Sequence, residues 1–224
     1  MKRWALVFDL DGTLVDSLPD LRAALNETLR GLGRHELSPD EVRRMIGDGT
    51  HALVERALRA TGEVVDLENA HHRFLAFYQA APTRLSRLYP AVAMTLGLLI
   101  ESGAHLAVCT NKQQAATLAV LDGFGIAKYF DAILGGDVVR FRKPHPRHLL
   151  AALEKLDAPP DESVMIGDNE NDYSAARAAG VPVILMRYGY LRVPPETLAP
   201  DAWLDNFGDL PRTITKPFAA RVTK

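Results

Sequence analysis

Asp9 and Asp11 stand two positions apart in "VFDLDGTLVDS" (7–17), where an apolar run ends. Like charges this close repel, so the pair needs a cation or shifted pKa values to hold its place. Polar residues follow apolar runs at two further points. Thr110 and Asn111 come after "AHLAVC" (104–109), and Asp168 and Asp172 come after "VMIG" (164–167). Arg142 and Lys143, in "RFRKPHP", add positive charge. Oxygen donors without His or Cys favour Mg2+ over zinc or copper. Mg2+ keeps several waters and takes one or two carboxylates plus a substrate phosphate. The Thr110 hydroxyl and the free backbone N–H groups of Thr110–Asn111, leading into a helix, form an anion cradle. Metal, cradle and Lys143 together describe a site for a phosphoryl group. There one carboxylate can be the nucleophile, giving an aspartyl-phosphate. A second carboxyl can protonate the leaving alcohol and later activate water.

These residues meet only if a fold collects them. "WALVF" (4–8), "AHLAVC", "VMIG" and "VPVILM" (181–186) are short continuous apolar runs, and "DAILGG" (131–136) is a weaker one. They read as buried strands. Helical patterns lie between them, at 91–103, 112–125, 144–156 and 170–180. Strands without period-two alternation, separated by helices, predict an α/β fold: a doubly wound, Rossmann-like parallel sheet covered on both faces. Ligands of such sheets bind at the carboxyl ends of the strands. The three polar groups sit at just those ends.

The alternation stops between Leu18 and Leu88, where only helical signals occur. "LPDLRAALNETLRGLG" has apolar residues at 18, 21, 25, 29 and 32, and Ser38-Pro39-Asp40 is a helix-start signature. This predicts an inserted α-helical cap over residues 17–88, with the core formed by 1–16 and 89–224. The final stretch "PRTITKPFAARVTK" carries no clear pattern.

The formal net charge is −2, with 24% charged residues, so neither a nucleic-acid partner nor an acidic tail is indicated. Cys109 is the single cysteine, which excludes an internal disulfide and a multi-cysteine zinc site. No apolar run reaches the roughly 20 residues of a membrane span, and "MKRWALVFDLDG" is too short an apolar run for a signal peptide. A cytoplasmic location is the expectation, without a membrane partner and with oligomeric state open.

Four motifs carry a resemblance that covers roughly residues 4–215. "DLDGTLVDS", "CTN", "KP" and "GDNENDYSAARAAG" occur in the order of the haloacid dehalogenase-like hydrolase superfamily. The insert resembles the small helical cap of one branch. The resemblance implies Asp9 as nucleophile and Asp11 as general acid and base. It implies Thr110, Asn111 and Gly12 on the substrate and Lys143 balancing charge. It also implies Mg2+ held by Asp9, the Asp11 backbone carbonyl and Asp168, with Asp172 supporting it. An acid at position 11 favours ester hydrolysis over carbon–halogen cleavage, because an alkoxide leaves poorly without a proton.

The segment 42–58 is similar to the corresponding loop of phosphoglycolate phosphatases, which implies 2-phosphoglycolate as substrate. Gly47 and Gly49 would then present backbone N–H groups to its carboxylate, with Arg44 or His51 beside them. Other small phosphorylated metabolites, a sugar phosphomutase and a non-catalytic module are the competing readings. Ala91 stands where relatives commonly have Gly, at the hinge. Lys112 reads as solvated, His71–His72 as a solvent-facing pair, and His145 as a helix cap.

Overall fold

The computed structural model describes residues 4–214, so the last ten residues of the patternless C-terminal stretch and the first three of the chain lie outside it. From its start the chain forms strand β1 (Ala5–Phe8), then the two-residue strand β2 (Val15–Asp16). Four helices follow: α1 (Leu18–Arg30), α2 (Pro39–Arg43), α3 (Thr50–Thr61) and α4 (Leu67–Ala80). Strand β3 (Arg87–Leu88) leads back to α5 (Val92–Glu101), β4 (His105–Cys109), α6 (Gln114–Gly123) and β5 (Ala132–Leu134). Next come α7 (Pro146–Lys155), β6 (Ser163–Gly167), α8 (Glu170–Ala179) and β7 (Val183–Met186), and last β8 (Ala202–Leu204) and the single turn α9 (Leu210–Thr213).

Six strands form one parallel sheet in the order β5-β4-β1-β6-β7-β8. β1 lies at its centre, between β4 and β6, so Asp9 emerges in the middle of the carboxyl edge. Alternate residues of β1 serve opposite faces. Leu6 and Phe8 join the core under α5 and α6, while Ala5 and Val7 join the core under α7 and α8. Two covered faces explain why these strands are apolar throughout. Each fully buried Leu or Phe contributes about 1.5–3 kcal/mol relative to exposure.

The helices α1 to α4 build most of a third apolar cluster, with Leu25, Leu58 and Phe74 fully buried and with Ala116 of α6 and Tyr190 after β7 joining it from the core. β2 and β3 pair antiparallel, Val15 with Leu88 and Asp16 with Arg87, where the chain leaves the sheet for these helices and returns. This ribbon and β8 have no counterpart among the sequence-predicted strands. Both are two or three residues long, too short for any periodicity to register.

Local signals account for the helix ends. Ser38 and Glu41 form a reciprocal capping box at α2. His145 caps α7 by accepting the Arg147 N–H. α8 stops at Gly180, whose φ of 71° is open to glycine at little cost. The observed helices α5 to α8 end up to two residues inside the predicted spans, because those spans included the capping residues.

Candidate active site

Four side chains converge where β1 and β6 end. Asp9 continues the ladder beyond β1, its N–H donating to Ile166 O (2.9 Å). Its Oδ1 accepts from the Leu10 N–H (2.7 Å) and pairs with Lys143 Nζ (3.0 Å). Lys143 also donates to Asp172 Oδ1 (2.7 Å). Asp172 occupies the third position of α8, so its other oxygen caps that helix by accepting from Asp168 N–H (3.0 Å) and Asn169 N–H (3.3 Å). Asp168 accepts from the Thr13 hydroxyl (2.8 Å) and the Tyr190 N–H (2.7 Å), both neutral donors.

Carboxylate oxygens of Asp9, Asp168 and Asp172 lie within 4.8 Å of one another, all buried. One ammonium shared between two of three acids leaves negative charge in excess. Burial, with repulsion from Asp172 and against the pull of Lys143, pushes the Asp9 carboxyl up to about 6. Burial and the neighbouring acids likewise push Asp168 well above the usual carboxylate range. An all-oxygen, buried and charge-deficient cluster fits a hard divalent cation.

Asp11 does not join this cluster. Its two carboxylate oxygens sit 3.2 and 3.1 Å from Lys112 Nζ. The Lys112 side chain is 1% exposed, and its ammonium lies 4.6 Å from the centre of the Tyr78 ring on α4. Lys112 is therefore buried at the site rather than solvated. A charge read in isolation points to solvent; the signal that could have placed it is its position directly after Thr110–Asn111, in the loop at the end of β4.

Thr110 and Asn111 lie at the end of β4, both buried. Asn111 Nδ2 donates to Lys143 O (2.8 Å) and to Gly47 O (2.9 Å), tying the loop after α2 to the sheet edge. A pocket forms between them, lined from below by Asp9, Asp11, Thr110, Asn111 and Lys112 and from above by Gly47, Gly49, Leu21, Ile46, Thr50 and Leu53. Gly47 and Gly49 are thus at the pocket, with φ of 127° and 87°.

Three residues predicted on the substrate side are elsewhere. Arg44 ends α2 with its side chain exposed, while its neighbour Arg43 turns inward to Gly189 O (3.0 Å) and the Tyr190 ring. His51 is half-buried and bound to Glu68 (3.0 Å), outside the pocket lining. Gly12 packs beneath the acid cluster instead of lining the pocket. A Cβ there would lie 2.4 Å from Asp168 Oδ2, and its φ is 88°. His71 is also not solvent-facing: it is buried, with Nε2 2.9 Å from the Thr50 hydroxyl, while His72 is exposed.

Sequence reasoning missed a clasp beside the pocket. Asp48, between the two glycines, accepts from Asn171 Nδ2 (2.7 Å) and pairs with Arg56 of α3 and Arg192 of the loop after β7. Burial works against its ionised form, but these donors outweigh it and hold Asp48 well below the usual carboxylate range. Tyr190 is a second support, its hydroxyl donating to Asp16 (2.7 Å) and accepting from the Leu18 N–H (3.0 Å).

The family of haloacid dehalogenase-like hydrolases matches residues 6–186. A phosphoglycolate phosphatase of Rhodospirillum rubrum is 41% identical over 213 residues, covering 92% of this chain and 88% of that protein. One from Agrobacterium fabrum is 40% identical over 207 residues, covering 91% and 89%. The structure of a predicted phosphoglycolate phosphatase from Haemophilus somnus superposes with a TM-score of 0.91 at 34% identity, covering 96% of this chain and 99% of that one. The chain belongs to the haloacid dehalogenase-like hydrolases.

Proposed function

We propose that this protein is a Mg2+-dependent phosphomonoesterase that hydrolyses 2-phosphoglycolate to glycolate and phosphate. The observation that carries the chemistry is the separation of two neighbouring acids. Asp9 is held by Lys143 within the acid cluster, and Asp11 is held outside that cluster by Lys112. Relatives about 40% identical over nine-tenths of the chain, named phosphoglycolate phosphatases, support the substrate.

Asp9 Oδ1 is fixed by the Leu10 N–H and Lys143, which leaves Oδ2 to attack phosphorus. The P–O bond to glycolate breaks as the Asp9–phosphorus bond forms, and protonated Asp11 gives its proton to the departing oxygen. Asp11 then takes a proton from water as that water attacks the aspartyl-phosphate, releasing phosphate and restoring Asp9. Thr110 and Lys143 stabilise negative charge on the phosphoryl oxygens. Asp9, Asp168 and the Asp11 backbone carbonyl would hold Mg2+, with Asp172 supporting; bound there, it supplies Lewis-acid stabilisation of the phosphoryl group.

A panel of small phosphate esters ranked by kcat/KM tests the substrate, with 2-phosphoglycolate expected first. Asp9→Asn should lower kcat by more than about 1,000-fold while the protein stays folded, as circular dichroism would show. Undiminished turnover by Asp9→Asn would overturn the nucleophile assignment.

A further inference from the structure

We propose that Lys112 is the partner of the substrate's carboxylate and sets the preference for phosphate esters that carry one next to the ester carbon. This rests on the 2-phosphoglycolate reading above and names the residue that would enforce it.

The pocket needs a cation for that carboxylate, and the residues first suited to the role face away. Arg44 is exposed at the end of α2, and His51 is engaged with Glu68. Among the described residues that line the pocket, Lys112 is the one with a positively charged side chain. It already holds a carboxylate in the geometry required, with both oxygens of Asp11 at 3.2 and 3.1 Å.

Lys112 is also a charge that cannot be left alone. Leu21, Ile46 and Leu53 of the helical insert close over the pocket, and the Tyr78 ring covers another side of the ammonium. Both oxygens of Asp11 and the face of the Tyr78 ring are the partners of this ammonium. A buried charge that loses its partner is strongly destabilising. Catalysis requires such a loss, because Asp11 must turn to the leaving oxygen.

2-Phosphoglycolate resolves the conflict with its own chemistry. Its carboxylate carbon is two bonds from the leaving oxygen, so the anion reaches Lys112 as Asp11 reaches the ester. The incoming carboxylate replaces Asp11 on the ammonium, and Asp11, freed from the ion pair, takes a proton from solvent and gives it to the leaving oxygen. An ester of the same length without a carboxylate, such as ethyl phosphate, leaves Lys112 bare at that moment and is disfavoured.

The test compares kcat and KM for 2-phosphoglycolate and ethyl phosphate in the wild type, Lys112→Met and Lys112→Arg. The wild type should favour 2-phosphoglycolate. In Lys112→Met that selectivity ratio should fall by about 30- to 100-fold, most of it in the KM for 2-phosphoglycolate. Lys112→Arg, which keeps the charge, should retain the ratio within about tenfold. A folded Lys112→Met that keeps the wild-type ratio, or that loses both esters equally, overturns the assignment and leaves Lys112 a structural ion pair. If Lys112→Met does not fold, Lys112→Gln, which can still hydrogen-bond Asp11, carries the same comparison. A wild type with no preference between the two esters fails differently: it overturns the proposed substrate, and the role of Lys112 with it.

Discussion

Lys143 faces more negative charge than one ammonium can balance. It reaches Asp9 at 3.0 Å and Asp172 at 2.7 Å, and Asp168 completes the buried cluster with neutral partners only. The consequence for pH follows from the sign of the shift. Asp9 is raised from 3.8 to about 6, so the folded chain holds its proton more tightly than the unfolded chain. The stabilisation is complete below the unfolded pKa and is lost as pH rises through about 6, on the order of 3 kcal/mol for this group. Asp168 moves in the same direction. A divalent cation offsets the charge that appears over that window. Saturating Mg2+ should therefore raise the melting temperature by several degrees more at about pH 7.5 than at about pH 5. Equal shifts at the two pH values, measured in chelator-treated protein, would show that the ion binds elsewhere.

Elements rather than residues decide what could be read in advance. The four longer apolar runs, at β1, β4, β6 and β7, announce strands because both faces of the sheet are covered, and the acids and amides that follow them fall at one edge for the same reason. That much of the fold and the convergence of Asp9, Asp168, Asp172 and Lys143 was legible, since it depends on order along the chain. What was not legible depends on side-chain direction. Arg43 and Arg44 are adjacent at the end of α2, and only the geometry of that turn sends one to Gly189 and the other to solvent. Lys112 is buried because the insert covers it, with Tyr78 of α4 against its ammonium and Leu21, Ile46 and Leu53 over the pocket. The start of α5 shows a cost of the same kind. Ala91 caps that helix with φ 66°, a left-handed conformation that disfavours a Cβ by about 1–2 kcal/mol. Glycine removes that strain but adds freedom to the unfolded chain. Ala91→Gly should thus stabilise by about 0.5–1 kcal/mol, read as a higher denaturant midpoint at unchanged slope. A lower midpoint would mean that contacts of the Ala91 methyl group outweigh the strain.

At the scale of the whole molecule, the sheet supplies the floor of the pocket and the helical insert supplies its roof. Several connections hold roof to floor. One is covalent, the β2–β3 ribbon through which the chain leaves and returns. Others are the hydrogen bonds to Gly47 O from Asn111 and Asn171 and the Arg43 bond to Gly189 O. The most highly charged is the clasp at Asp48, which joins the loop of Gly47 and Gly49 to Asn171 of α8 and to Arg192 after β7. Most of the third apolar cluster lies within the insert, with only Ala116 and Tyr190 of the core joining it, so loosening the clasp should move the insert without unfolding it. Substrate access needs the roof to lift, and exclusion of bulk water needs it to return. Asp48→Asn keeps the size of the side chain and removes the charge that binds both Arg56 and Arg192. It should speed amide hydrogen exchange in residues 45–49 by about tenfold or more and lower kcat/KM by about tenfold, while exchange in β1, β4 and β6 stays slow. Arg192→Met, which attacks the clasp from the side of the sheet, should reproduce both effects, and the double variant should lose little more than either alone, because the two residues act as one unit. Additive losses in the double variant would mean that Asp48 and Arg192 serve the site separately, and unchanged exchange in 45–49 would mean that the Asn111 and Asn171 contacts to Gly47 O hold the roof without the clasp.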